Sequence, residues 1–94
     1  MRIRWTRRAS RNLDAIESYV EVDDPVAAAK TVLKVTRAVS RLAEHPQLGR
    51  AGRVPGTREL LVAGTPYIAA YRVKGRIVEI LVVLHGAMRW PEEL

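Results

Sequence analysis

The pattern of apolar residues predicts an α+β domain with an N-terminal strand, an antiparallel two-helix hairpin and then a three-stranded antiparallel meander. The helices are expected on one face of a four-stranded sheet. Three observations carry this reading. Period-two alternation opens the chain, a four–three spacing runs through two successive stretches, and three apolar runs separated by glycine- and proline-rich breaks close it.

Each element follows from local chemistry. Met1, Ile3 and Trp5 alternate with Arg2 and Arg4, as in a short half-buried strand. Thr6 can cap the first helix, whose inner face is Ala9, Leu13, Ile16 and Val20, with Arg8, Arg11, Asp14 and Glu17 turned to water. That helix stops near "EVDDP", where Asp24 is a good cap and Pro25 a good first residue for a second helix, since proline has no amide to lose. Ala28, Val32, Val35, Val39 and Leu42 then keep the four–three spacing until His45 and Pro46 end it. The loop "PQLGRAGRVPGT" has no periodicity. "RELLV" and "PYIAAYRV" read as strands, "KGR" as a tight turn, and "IVEILVVLH" as a strand buried on both faces. The first strand is most easily placed beside the last.

Two helices can cover only one face of such a sheet. In the last strand Val78, Ile80, Val82 and Leu84 alternate with Ile77, Leu81 and Val83, so apolar side chains are expected on both faces. The second face therefore calls for a cover, either a partner or the long loop folding back.

Length and composition bound the rest. A chain of 94 residues forms one domain, spanning 1–94, with a single modest core. No cysteine is present, so neither disulfides nor zinc–thiolate sites are available. The apolar runs fall short of a membrane span and the start lacks an export signal, so a cytoplasmic location is expected. Sixteen Lys and Arg against ten Asp and Glu give a net charge of +6. Thirteen of the sixteen are arginine, whose planar fork suits phosphates and carboxylates.

Several chemistries find little support. His45 and His85 are the only histidines and have no ligand-spaced carboxylates, so no metal and no cofactor is implied. Ser10, Ser18 and Ser40 sit on helices without a nucleophile elbow, and "GRAGRVPG" lacks the Gly-Lys-Ser/Thr of a phosphate loop. His45 reads as a helix C-terminal residue favoured by the dipole. His85 is either a hydrogen-bonded strand end or a functional group, since imidazole exchanges protons near neutral pH. Arg89 and Trp90 read either as target-binding residues or as a C-terminal clasp with arginine stacked on indole. Arg58 beside Glu59 is a candidate strand-edge ion pair expected near the tip of the last strand. Tyr67 and Tyr71 share a face, which suits core packing with outward hydroxyls.

In order and spacing, "IRWTRRASRNLDAIESYV", "RLAEHPQLGR", "TRELLV", "PYIAAYRV" and "RIVEILVVLHGAMRWP" resemble the RelE/ParE superfamily of toxins from bacterial type II toxin–antitoxin systems, over essentially the whole chain. The resemblance implies a growth-inhibiting toxin held in a hetero-oligomer with a cognate antitoxin. Leu60, Val62, Tyr67, Tyr71, Leu81 and Val83 are the antitoxin-binding candidates. RelE-like members cut mRNA on the ribosome, whereas ParE-like members poison DNA gyrase. Cleavage by a 2′-OH needs a base, an acid and a cation, for which Arg58, His85 and Arg89 are the candidates, with Arg72 as a further charge. That nuclease pattern is incomplete here: Ile68 stands after Tyr67 where those nucleases have arginine, and Trp90, which cannot move a proton, follows Arg89. "AEHPQLG" and "YRVKGRIVEILVVLH" are closer to ParE-like sequences, which implies DNA gyrase as the target, gripped by Arg58, His85, Arg89 and Trp90. Ribosome-bound mRNA is the alternative partner. A nucleic-acid-binding module without toxic activity is a third reading, weakened by the few aromatic residues available for stacking.

Overall fold

The computed structural model describes residues 1–94. Strand β1 (Arg2–Trp5) leads into helix α1 (Arg7–Glu21), which turns back as α2 (Pro25–Ser40) and ends in a 3₁₀ turn at Arg41–Ala43. Strands β2 (Arg50–Ala51), β3 (Arg58–Leu61), β4 (Tyr67–Lys74) and β5 (Ile77–His85) follow. They form one sheet in the order β1-β5-β4-β3-β2, antiparallel except for the parallel β1–β5 pair. The sheet has five strands rather than four, because part of the loop after α2 pairs as the two-residue β2 along the outer edge of β3.

Both helices start as their capping residues dictate. Thr6 Oγ1 accepts from the Ala9 amide, and Asp24 Oδ1 accepts from the amides of Val26 and Ala27, each at 3.1 Å. Ala9, Ile16, Val35, Val39 and Leu42 then pack on Tyr67, Ala69, Tyr71, Val78, Ile80 and Val83 of the sheet, with Ile3, Trp5, Leu13 and Val20 around the margin.

The alternation of the last strand is broken, and this corrects its expected phase. Ala70 pairs with Val82 but Tyr71 pairs with Ile80, leaving Leu81 as the extra residue of a β-bulge. Val78 and Ile80 therefore face the helices, while beyond the bulge Val83 takes that face and Val82 turns to the other. The start of α1 satisfies the distorted backbone. The Thr6 hydroxyl donates to Ile80 O (2.8 Å) and to Leu81 O (3.1 Å), and Asn12 Oδ1 accepts from Val83 N (3.1 Å).

The second face is closed by the chain itself. Ile68, Ala70 and Val82 form a small second core under Trp90, with Leu84 and Leu94 beside it. Farther along this face an ionic row replaces apolar contact: Glu79 lies between Arg4 on β1 (3.0 Å) and Arg72 on β4 (2.7 Å). The cover here is the C-terminal tail, with Arg53 of the β2–β3 loop laid over Trp90.

Candidate functional site

Two surfaces stand out, and the first is built around the end of β5. Gly86 N donates to Pro66 O at 2.8 Å, tying the chain to the β3–β4 turn as it leaves the sheet. His85 then organises the next five residues. Its ring Nδ1 accepts from Ala87 N (3.0 Å), while its carbonyl accepts from Met88 N (3.1 Å) and from the Trp90 indole Nε1 (3.3 Å). Nδ1 is thereby engaged as an acceptor inside the turn, and Nε2 has no hydrogen-bond partner within the chain. The ring also meets Tyr67 edge-on, with centroids 5.8 Å apart.

Beside this turn lies an open apolar groove of about 630 Å³ between α1 and the end of β5, lined by Asn12, Ala15, Tyr19, Tyr67, His85 and Met88 among others. Tyr19 and Met88 are largely exposed on its walls. Burial, and then the nearby Tyr19, push the Tyr67 phenol above its ordinary value, so the Tyr67 hydroxyl remains a neutral donor across the physiological range.

The residues expected at this tip are only partly brought together. His85 and Trp90 are in contact and Arg89 is exposed between Met88 and Trp90. Trp90, however, is a buried anchor, 9% exposed, rather than a displayed side chain. Arg58 lies elsewhere. It pairs with Tyr71, four residues along β4 from the Tyr67 that pairs with His85. At about 3.3 Å per residue and about 4.8 Å per strand, this puts Arg58 on the order of 16 Å from His85. Its Nη1 donates to Gly49 O at 2.8 Å. Arg72, the other candidate cation, is held by Glu79.

Glu59 does not pair with its neighbour Arg58. Its carboxylate takes Arg53 Nε (3.0 Å), Arg53 Nη2 (3.2 Å), Arg53 N (2.8 Å) and Arg50 Nη2 (3.3 Å). Burial alone would raise its pKa, but the hydrogen bonds and charge of Arg53, helped by Arg50, more than offset this and hold it below its ordinary value. The arginine stacked on the indole is likewise Arg53, with Cζ 3.9 Å from the Trp90 ring centroid, and not Arg89. Arg53 escaped the sequence reading because the loop holding it has no periodicity. The available signal was Glu59, a carboxylate on the strand that this loop precedes.

The second surface is a basic groove of about 280 Å³ between α2 and β3, lined by Lys34, Arg37, Arg41, Leu48 and residues 60–62 at the end of β3, among others. The chain's four ion pairs use Arg4, Arg50, Arg53 and Arg72, so these three cations have no carboxylate partner. Leu48 and Leu61 are about half exposed here. Strand β2 covers only Arg58 and Glu59, and because Val62 N is directed to Tyr67 O on β4, the alternate residue Leu61 turns its amide and carbonyl to the free edge.

The six side chains expected to meet a partner are all buried within the chain. Leu60, Val62, Tyr67, Tyr71 and Val83 belong to the core under the helices, and Leu81 is the buried bulge residue. Of these, Leu60 and Val62 also line the basic groove, and Tyr67 and Val83 the apolar groove. The Tyr71 hydroxyl is not outward either, donating to Pro46 O and accepting from Gly49 N, both at 2.8 Å. No group of three or more His, Asp or Glu side chains could hold a metal, and no helix is long and apolar enough to cross a membrane.

Comparison with known proteins agrees with this architecture. The family described as the ParE toxin of the type II toxin–antitoxin system parDE matches residues 3–90. A relative named "Putative toxin Y4kP" from Sinorhizobium fredii is 54% identical over 93 residues, covering 99% of this chain and 96% of the relative. Toxin RelE2 from Caulobacter vibrioides is 37% identical over 83 residues, covering 88% and 92%. A solved structure titled "Chromosomal ParDE TA system from P. aeruginosa" superposes with a TM-score of 0.83 at 35% identity, covering 90% of this chain and 95% of that one. With its two helices on a mostly antiparallel sheet and a family match across nearly its full length, the chain belongs to the ParE toxin family of type II toxin–antitoxin systems.

Proposed function

We propose that this toxin inhibits growth by gripping DNA gyrase with the β5 tip, without cutting RNA, and that a cognate antitoxin neutralises it by docking along the basic groove. The observation that carries the first half is the hydrogen bond His85 makes within its own turn. A general base needs a free ring nitrogen facing the 2′-OH, whereas Nδ1 is already taken by the Ala87 amide. Arg58, on the order of 16 Å away by strand register, cannot stabilise a phosphorane formed at His85. The tip instead offers an exposed arginine, an exposed methionine and an apolar groove, a combination suited to holding a macromolecular surface.

Unpaired Lys34, Arg37 and Arg41 beside half-exposed Leu48 and Leu61 suit an acidic segment with apolar anchors, and the free edge at Leu61 can add an extended strand to the sheet. Induction of the toxin alone should trap gyrase–DNA cleavage complexes while translated messages stay intact by primer extension. Arg89→Ala should abolish trapping yet leave antitoxin binding unchanged, because Arg89 does not line the groove between α2 and β3. Codon-phased cuts in translated mRNA would overturn the gyrase assignment in favour of ribosome-dependent cleavage.

A further inference from the structure

The sheet, the tail and the β2–β3 loop meet in a three-layer stack. Glu59, Ala70 and Val82 form one row across β3, β4 and β5 on the face away from the helices. Ala70 is fully buried, and its single methyl group leaves the depth that the Trp90 indole occupies over Ile68, Ala70 and Val82. The Arg53 guanidinium lies over this ring at 3.9 Å. Trp90 is thus packed against apolar side chains on the sheet and against a cation on the loop.

That cation is fixed unusually well for a loop residue. Glu59 is 3% exposed, and it receives the side-on fork of Arg53 together with the Arg53 backbone amide. The loop is drawn tight at its base, where Gly52 N donates to Thr57 O at 2.8 Å. No room is left there for a side chain, since a Cβ on Gly52 would fall 2.2 Å from Thr57 Oγ1. Main chain and guanidinium of Arg53 are therefore both held by contacts that do not involve the tail.

We propose that Arg53 and Glu59 are positioning residues for the target-gripping tip: Glu59 aims the Arg53 guanidinium, Arg53 clamps Trp90, and the clamp fixes Ala87, Met88 and Arg89 between two anchored points. The first anchor is Gly86 on Pro66, and the second is the stacked indole. Holding both ends of so short a segment removes the conformational freedom that Arg89 would otherwise lose on meeting its target. This role rests on the gyrase-gripping reading of the tip, and it assigns function to two residues that touch no target themselves.

The test uses the toxin carrying Trp5→Phe, so that Trp90 is the only tryptophan and is excited selectively. Arg53→Gln should shift Trp90 emission to the red and speed amide exchange across residues 86–90, while exchange in β3, β4 and β5 stays as in the parent. Gyrase trapping should fall about tenfold or more from misplacement alone, with antitoxin affinity within about twofold. Glu59→Gln should act in the same direction. Arg53→Lys keeps the charge and the backbone amide but loses the planar fork, so it should fall between parent and Arg53→Gln; it also serves should Arg53→Gln not fold. Unchanged Trp90 emission and unchanged exchange at 86–90 in Arg53→Gln or Arg53→Lys would overturn the clamp. A released tail with undiminished trapping, while Arg89→Ala still abolishes it, would overturn the positioning role and leave the tip reading standing. Undiminished trapping by Arg89→Ala would overturn the tip reading, and the positioning role with it.

Discussion

Replacing Tyr71 by phenylalanine isolates one oxygen on which two distant parts of the chain depend. Tyr71 is fully buried, and its hydroxyl both donates to Pro46 O and accepts from Gly49 N at 2.8 Å. These bonds pin the connection between the 3₁₀ turn and β2 to the middle of β4. Phenylalanine keeps the ring packing and deletes the oxygen, so a carbonyl and an amide are left without their partner. An unsatisfied buried polar group costs about 1–3 kcal/mol, and some of this returns as water reaches the loop side, so a loss of about 2–3 kcal/mol is expected. For a domain of this size, about 4–8 °C of Tm accompanies each kcal/mol, which predicts a fall of about 10–20 °C. Since the whole fold is worth about 5–14 kcal/mol, the variant should still fold. Urea and thermal unfolding of the purified toxin measure the loss, and exchange of the Gly49 amide reports where it arises. A loss below about 0.5 kcal/mol with unchanged Gly49 exchange would refute the claim that this hydroxyl holds the connection.

Other outcomes follow from the same contacts. Gly49→Ala should destabilise the fold, because its Cβ would fall 2.7 Å from Tyr71 Cε1 and 2.9 Å from the Glu59 carbonyl oxygen; a melting temperature equal to the parent's would contradict that geometry. Asn12→Ala should lower stability by about 1–2 kcal/mol and speed exchange of the Val83 amide, whereas Asn12→Asp, which keeps an acceptor, should lose less. The Glu59 network gives a pH signature. Its folded pKa lies below the ordinary 4.5, so the carboxylate contributes stability above about pH 4.5 that is lost as pH falls through the lower folded value. The urea midpoint of the parent should drop across that acidic window, and the drop should be smaller in Glu59→Gln.

The helical half of the molecule was legible because one rule governed each element. Thr6, Asp24 and Pro25 sit where capping chemistry puts them, and the four–three spacing marked the face that packs on the sheet. Parallel pairing of β1 with β5 agrees with the expected placement of the first strand beside the last. The sheet was less legible, since near-continuous apolar content in β5 hides its phase. Nothing in "IVEILVVLH" marks Leu81 as the extra residue, and the bulge becomes intelligible only when Thr6 and Asn12 are seen satisfying the backbone around it. Arg58 was misplaced for a related reason. Which residues of β3 lie level with the end of β5 is set by strand register, and a run of four or five residues does not specify register.

The charge excess could be counted from the sequence but not interpreted, and the fold divides it. Two glutamates, Glu59 and Glu79, hold Arg50, Arg53, Arg4 and Arg72 on the face away from the helices, which makes those arginines part of the sheet's cover. Arg58 is spent on the Gly49 carbonyl. Lys34, Arg37 and Arg41 form a group with no carboxylate partner, Lys34 reaching only the Gly64 carbonyl (3.4 Å), and they line the groove beside a strand edge that the chain leaves open. Free cations next to half-exposed leucines and an unpaired edge are a liability in a lone chain, since they invite unintended strand pairing. With the acidic antitoxin segment proposed above, the same features become the means of recognition. The arginines that fold this toxin and the cations proposed to meet its antitoxin are therefore different residues, so charge reversal at Lys34, Arg37 and Arg41 should weaken antitoxin binding while the core and the β5 tip stay as they are.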